Sequence, residues 1–320
     1  MSEIAAASPV VLMARDIKLS HSVFALPFAV LGAVLSLAGA AGTRAGSPSQ
    51  VQSAAVVLSL VVVCMVSART WAMLVNRLVD RGFDAGNART ARRVFASGAV
   101  SARTGWMTAF GAAGLFAAAT GGFGLVGGNW WPVILAGPVL AWIAFYSWTK
   151  RFTWWCHVVL GSALAASPLA AAIAVDPGAV GLPGLGGHAV GAMVPAVWWL
   201  AGFVLCWVAG FDVIYALQDV EFDRGRGLRS VPASLGVGTA LWISRVLHAM
   251  AAGLLVLAWR SDARFGFVFG AGVALACGLL VLEHVVLAKR GKAGLEMAFF
   301  TINGVVSVVV GAAGCVDVVG

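Results

Sequence analysis

Nine stretches of about 20 mainly apolar residues run along this chain, each long enough to cross the hydrocarbon core of a bilayer as an α-helix. They lie near 17–40, 54–76, 104–121, 130–148, 156–175, 195–217, 236–258, 266–288 and 296–316. No soluble domain of 320 residues needs 61% apolar and only 11% charged residues to fill one core. The mean hydropathy of +0.94 agrees. The predicted fold class is all-α: a multi-span transmembrane helical bundle of about nine helices. One domain over residues 1–320 is expected, organised as two halves, helices 1–4 and 5–9. Gly121, Gly122, Gly124, Gly127 and Gly128 predict a short link between the third and fourth spans.

Basic residues set the orientation. Alternate connections hold Arg15 and Lys18; Arg77, Arg81, Arg89, Arg92, Arg93 and Arg103; Lys150 and Arg151; Arg224, Arg226 and Arg229; Lys289, Arg290 and Lys292, which is 16 of the 21 Lys and Arg. The opposite connections hold only Arg44, Arg260 and Arg264. This places the N-terminus in the cytosol and the C-terminus outside, as an odd number of spans requires. The same asymmetry accounts for the net charge of +8, so nucleic acid is not an expected partner, whereas membrane lipid is. The first span is too long for a cleaved signal peptide and lacks a cleavage site, so it is expected to stay in the protein. Five cysteines, scattered singly without CxxC spacing, point away from structural zinc and from a disulfide framework.

Charge is avoided everywhere except in two blocks, 76–84 and 212–223, at the ends of apolar stretches on the predicted cytosolic side. Six of the 13 carboxylates fall there: Asp80, Asp84, Asp212, Asp219, Glu221 and Asp223. A carboxylate near hydrocarbon costs about 2.5–3.5 kcal/mol, so such clusters imply a water-filled cavity, a cation, or both. On a helix Asn76, Asp80 and Asp84 drift only about 40° per step and form one oxygen-bearing stripe. Asp212, Asp219 and Asp223 return to within about 40° of a common direction, and Glu221 points elsewhere. Carboxylate and amide oxygens suit hard cations, Mg²⁺ above all, which takes one or two carboxylates plus water and substrate phosphates. Arginine and lysine beside them suit phosphate oxygens. The chain's two tyrosines, Tyr146 and Tyr215, sit beside this chemistry, and a phenol both donates to phosphate and offers an electron-rich ring to a cation.

The two blocks resemble the motifs of the UbiA superfamily of intramembrane prenyltransferases, most closely its 4-hydroxybenzoate polyprenyltransferase-like branch. The pattern NxxxDxxxD followed by RTxxR reads Asn76, Asp80, Asp84, Arg89-Thr90 and Arg93. The pattern DxxYAxxDxxxD with a following GxxS reads Asp212, Tyr215-Ala216, Asp219, Asp223, Gly227 and Ser230. The stretch Tyr146 to Thr153 is similar to the family's KR-x-T segment. The family's RPLPSG turn reads Arg93-Val94-Phe95-Ala96-Ser97-Gly98 here, without its prolines. The resemblance implies Mg²⁺-dependent transfer of a polyprenyl group from polyprenyl diphosphate to an electron-rich aromatic hydroxy acid in quinone biosynthesis. It implies that Asn76, Asp80, Asp84, Asp212, Asp219 and Asp223 hold the metal and, through it, the diphosphate. Lys150, Arg151, Arg89 and Arg93 would contact phosphate, with Tyr146 and Tyr215 lining the site of ionisation. Connecting segments around 77–103, 149–155 and 219–235 would form a cytosolic cap over a central cavity.

Two acceptors stand level. Residues 67–73 and 151–157 resemble a sub-branch that prenylates 1,4-dihydroxy-6-naphthoate on the way to menaquinone, and 4-hydroxybenzoate, the ubiquinone precursor, fits equally; both pair a phenol with a carboxylate. Arg69, about two turns inside the membrane from Asn76, is the embedded cation best placed for that carboxylate. His21 and His157, near cytosolic span ends, are weaker candidates for it. An ion-coupled carrier is the rival class, because embedded carboxylates also mark transporters. Carrier sites lie near the bilayer midplane, however, and these blocks lie at span ends. The setting expected is an integral protein of the bacterial inner membrane.

Overall fold

The computed structural model describes residues 8–17, 24–40, 48–185, 188–295 and 297–320, and among them the regular structure is entirely helical. In chain order the helices are α1 (Pro9–Asp16), α2 (Leu26–Ala40), α3 (Pro48–Val79), α4 (Arg81–Ala85), α5 (Ala102–Gly127), α6 (Trp131–Thr149), α7 (Cys156–Val175), α8 (Pro195–Tyr215), α9 (Val220–Gly225), α10 (Val231–Leu235), α11 (Val237–Ser261), α12 (Phe267–Arg290) and α13 (Asn303–Val319). Among the described residues eight helices are long and apolar enough to cross a membrane, and α2 is a shorter apolar helix. The first expected span reached back to residue 17, and residues 18–23, including His21, lie outside the described residues. Helix is the form these segments take because, without water, backbone N–H and C=O groups have to be satisfied inside each segment.

The spans close into a ring. Helix α3 packs on α5, α5 on α6, α6 on α7, α7 on α8, α8 on α11, α11 on α12 and α12 on α13, while α2 meets α13, α7 and α3. Most residues of α8 are buried; its Phe203 and Trp207 stack on each other and pack against Phe28 of α2, Phe211 meets Trp207 edge-on, and all lie in one core with Phe269 of α12. The short helices α4, α9 and α10 gather at one end, where they and the turns between them form the expected cap.

The short link expected between the third and fourth spans is present, but it begins later than residue 121. Helix α5 runs through Gly121, Gly122, Gly124 and Gly127, and only Gly128, with φ of 72°, ends it. Water competes too little for the backbone there to make glycine a helix breaker. The link is therefore three residues, held by Asn129, whose Nδ2 donates to the carbonyls of Ile173 and Ala174 at the far end of α7.

Helix α7 crosses α8 closely enough that a Cβ on Gly161 would lie 2.4 Å from the Leu205 carbonyl oxygen, whereas a Cβ on Gly111 of α5 would meet nothing. Gly161→Ala is therefore expected to destabilise the bundle by about 1–3 kcal/mol, and Gly111→Ala to leave it unchanged or slightly firmer. Melting curves of the two variants in detergent test this, and equal curves would overturn the close-crossing argument.

Candidate active site

Both acidic blocks were expected on unbroken helices, and in both the helix breaks at the middle aspartate. Helix α3 ends at Val79, Asp80 adopts φ −89°, ψ 0°, and α4 resumes the turn and carries Asp84. Helix α8 ends at Tyr215, a 3₁₀ turn spans Ala216–Gln218, Asp219 adopts φ −110°, ψ 8°, and α9 carries Asp223. The continuous-helix stripe is thus replaced by two matching breaks. Each break sets one aspartate at the bend, Asp80 or Asp219, and carries the next, Asp84 or Asp223, on the short helix that follows, 7% and 1% exposed.

Between the breaks lies a cavity of about 1040 Å³. Asn76, Asp80, Asp84, Asp212, Asp219, Asp223, Arg69, Arg89, Arg93, Lys150, Arg151, Tyr146 and Tyr215 all line it, so every residue expected at the site is brought to one space. Exposed Glu221 does not line it, as helical phase indicated. The polar residues occupy the capped end, and Phe24, Phe116, Phe123, Leu164 and Val208 line the rest.

Carboxylates and cations at this end are matched pair by pair. Arg151 Nη2 lies 3.0 Å from Asp80 Oδ1, Lys150 Nζ 2.9 Å from Asp223 Oδ1, and one nitrogen of Arg93 reaches both oxygens of Asp84 at 2.7 and 2.8 Å. Arg89 forks onto both oxygens of Asp219 and donates to the Tyr215 hydroxyl at 3.0 Å. Asp212 meets a histidine instead, His157 Nδ1 at 2.7 Å, while His157 Nε2 accepts from the Val231 N–H. The residues expected on phosphate therefore also neutralise the residues expected on metal. Openness separates the carboxylates: the side chains of Asp80 and Asp212 are 29% and 22% exposed, those of Asp84 and Asp219 10% and 11%.

Titration separates them too. Burial raises Asp80 above the usual carboxylate range and outweighs Arg151. Burial also acts upward on Asp219, but hydrogen bonds from Arg89 and Asn87 and the field of Lys150 outweigh it and hold the carboxyl below that range. For Lys150 the cost of burial is exceeded by Asp223, and its pKa rises.

Other basic residues of this end serve the framework. Arg77 pairs with Asp16 at 3.3 Å, Arg224 donates to carbonyls of α10, and Arg229 donates to the Phe152 carbonyl. Sequence reasoning passed over Asn87, which donates to Asp219 at 3.0 Å, and Ser230, which donates to Asp223 at 2.8 Å. Ser230 was visible as the last position of the second motif; Asn87 carried no signal, because 132 residues separate it from its partner. In place of the absent turn prolines, Val94 and Phe95 are buried against Leu74 and Leu78, and Gly98 takes φ of 77°.

Among the described residues no three His, Cys, Asp or Glu side chains converge closely enough to hold a metal by themselves. The donors nevertheless fit Mg²⁺, which needs only one or two protein carboxylates when water and phosphate complete its shell. Asn76, whose amide donates to Asp80 Oδ2 at 3.1 Å, and the half-open Asp80 supply hard oxygens at the cavity wall.

The pattern described as the UbiA prenyltransferase family matches residues 23–305. The chain belongs to that family. Among curated relatives of this UbiA enzyme, the 4-hydroxybenzoate octaprenyltransferase of Shewanella sediminis is 28% identical over 256 residues, 77% of this chain and 79% of that one. A mitochondrial 4-hydroxybenzoate polyprenyltransferase of Drosophila pseudoobscura is 31% identical over 201 residues, 62% of this chain and 46% of that one. In three dimensions a UbiA homologue from Aeropyrum pernix superposes with a TM-score of 0.76 at 28% identity, covering 93% of this chain and 98% of that one. A UbiA homologue from Archaeoglobus fulgidus, bound to GPP and Mg²⁺, shares the fold with a TM-score of 0.67 at 17% identity, over 97% and 100% of the two chains. The protein is a prenyltransferase of the UbiA family and an integral membrane helical bundle.

The electrostatics of this UbiA site give a signed expectation. Because Asp219 titrates below its unfolded value, its pairing stabilises the fold above the ordinary carboxylate range, and that stability is lost as pH falls through the lowered value. Asp219→Asn should lower stability at neutral pH by about 1–3 kcal/mol, with the gap to wild type narrowing in acid. Melting curves across pH check this; a gap independent of pH would contradict it.

Proposed function

We propose that this UbiA enzyme transfers a polyprenyl group from polyprenyl diphosphate to an aromatic hydroxy acid, with 4-hydroxybenzoate as the acceptor. One observation carries the reading: a single cavity joins a capped end, where the aspartates of both acidic blocks meet Arg89, Arg93, Lys150 and Arg151, to an apolar remainder of phenylalanine and aliphatic residues. Such a space suits a molecule with a diphosphate head and a hydrocarbon tail. The names of the curated relatives favour 4-hydroxybenzoate, and the stretches at 67–73 and 151–157 keep 1,4-dihydroxy-6-naphthoate as the second acceptor to assay.

Asn76, Asp80, Asp84, Asp212, Asp219 and Asp223 are the residues proposed to hold Mg²⁺, with Asp80 and Asp212 the most open of the carboxylates. Bound there, the ion would neutralise charge growing on the departing diphosphate. Arg89, Arg93, Lys150 and Arg151 are half-exposed partners of those carboxylates, and their guanidinium and ammonium groups would turn part of their donors onto phosphate oxygens. Tyr146 and Tyr215 present rings and hydroxyls where the allylic carbon gains positive charge. Arg69, deeper in the same cavity, would hold the acceptor carboxylate and so orient the ring. The cap excludes water, which protects the cation from hydrolysis. The active-site end faces the cytosol in this reading, because the cap carries the excess of basic residues.

Purified protein given geranyl diphosphate, Mg²⁺ and each acceptor should form prenylated product, and chelation of Mg²⁺ should stop it. Absence of Mg²⁺-dependent product with either phenolic acid would sink the proposal. Asp80→Ala and Asp219→Ala should each lower turnover by about a hundredfold or more. Arg69→Gln should mainly raise KM for the acceptor; an unchanged acceptor KM would remove Arg69 from that role.

A further inference from the structure

Behind the wall of this cavity lies a second set of polar side chains that the proposed chemistry does not use. Glu283 of α12 and Asn303 of α13 are both 0% exposed. Asn303 Nδ2 donates to Glu283 Oε1 at 3.2 Å, and Asn303 Oδ1 accepts from the indole N–H of Trp207 on α8. Oε2 of Glu283 is buried with no hydrogen-bond partner among the described residues and faces His248 Nδ1 at 3.8 Å. His248 Nε2 lies 3.3 Å from the Trp207 carbonyl, and His248 Nδ1 lies 3.0 Å from His284 Nε2.

Proton bookkeeping follows from which atoms can donate. A carbonyl only accepts, so His248 carries its proton on Nε2, and in the neutral ring Nδ1 is the acceptor for His284 Nε2–H. An ionised Glu283 would then turn a bare, fully buried oxygen toward a nitrogen lone pair. A cationic His248 is disfavoured by its surroundings: it is buried, and a second imidazole touches it. The arrangement without an uncompensated buried charge has the proton on Glu283, as a neutral carboxylic acid. Its place is specific, since a Cβ on Gly210 of α8 would fall 2.3 Å from the His248 ring.

What this strut supports is the cavity wall. Asn303 is the first residue of α13 and follows directly on a π-helical turn, Met297–Ile302. Phe300 in that turn lines the cavity and meets the Tyr215 ring edge-on at 6.3 Å. Trp207, the other partner of Asn303, packs edge-on against Phe211, which also lines the cavity. One turn further along α13, Ser307 donates to the carbonyl of Phe24, a third ring of the same wall. Tyr215 in turn accepts from Arg89, the partner of Asp219. A π-turn is a costly local form that recurs beside functional sites, and here the Glu283–Asn303 bond fastens its end.

We propose that Glu283, held as a neutral acid, and Asn303 are positioning residues that fix Phe300 against Tyr215 and so set the aromatic wall that receives the allylic end of the prenyl diphosphate. The proposal rests on the prenyl-transfer reading of the cavity. Glu283→Gln keeps an acceptor for Asn303 and no charge, and it should retain KM and kcat within about twofold. Glu283→Leu removes the acceptor and should lower kcat/KM for the prenyl diphosphate by about ten- to a hundredfold, as for other small misplacements of reacting groups, with KM for the acceptor acid little changed. Phe300→Leu should reproduce that loss, and adding Glu283→Leu to it should cost little more, because both act through one ring.

Wild-type kinetics in Glu283→Leu, or fully additive losses in the double variant, would overturn the proposal. So would failure of Glu283→Gln to retain activity while its melting curve matches wild type. An infrared band for the C=O stretch of a protonated carboxylic acid, present in wild type and missing in Glu283→Gln, reads the acid directly and without turnover; its absence from wild type would refute the neutral-acid assignment. If wild type formed no product with either phenolic acid, the proposed function would fall, and the band would still decide whether the buried acid is there.

Discussion

Four aspartates of the two acidic blocks lie against a cation, Arg151 on Asp80, Arg93 on Asp84, Arg89 on Asp219 and Lys150 on Asp223, and the fifth, Asp212, takes a hydrogen bond from His157 Nδ1. Charges removed from water this way are tolerable only in pairs, because an unpartnered charge keeps its desolvation cost. The shape of the cap follows from that demand. Residues 89–93 have to come back over α8's end, and residues 150–157 have to sit between the two breaks. Backbone ties reinforce the arrangement, with Arg229 N–H donating to the Lys150 carbonyl and Arg151 reaching the Val79 carbonyl at 3.0 Å.

Pairing also prepares the site for an exchange of partners. The cations are about one-fifth to one-third exposed, whereas three of the carboxylates, Asp84, Asp219 and Asp223, are almost sealed. In the proposed reaction an arriving phosphate group would meet these partly exposed donors. A divalent ion would there meet the oxygens of Asp80 and Asp212, the two that remain most open. The apolar residues below keep water away from the region where charge would develop. Framework residues surround this centre and do a different task, as Arg77 with Asp16 and Arg224 with α10 show.

Much of this was legible in residue order. Hydrophobic length located the spans, and the spacing of Asn76, Asp80 and Asp84, with that of Asp212, Asp219 and Asp223, gathered the site on one end of the bundle. Glu221 was separated from its neighbours by helical phase alone. What residue order did not carry was the bend at each middle aspartate, since helical phase assumes a continuous helix and nothing local marks φ and ψ near −90° and 0°. Nor did it carry the pairings, because a contact between Arg89 and Asp219 leaves no trace at a separation of 130 residues. Helix α5 runs six residues past the expected end of its span, because hydropathy marks where the apolar run ends and not where the helix does. Glu283 and Asn303 read as isolated polar residues in apolar stretches, and only the fold puts them behind the same wall.

The long reach of these pairs bears on how the chain is made. A helical membrane protein acquires its segments in order from the N-terminus, yet Asp80 meets Arg151 only 71 residues later, Arg89 meets Asp219 130 residues later, and His157 receives the Val231 amide across 74. Arg89 therefore has no Asp219 to pair with until the sixth span is made. The early helices must hold their place through small-residue packing and aromatic contacts while their charged ends wait in water at the membrane surface. The pocket is therefore complete only after the segment following α8 has been made and its charges have met their partners.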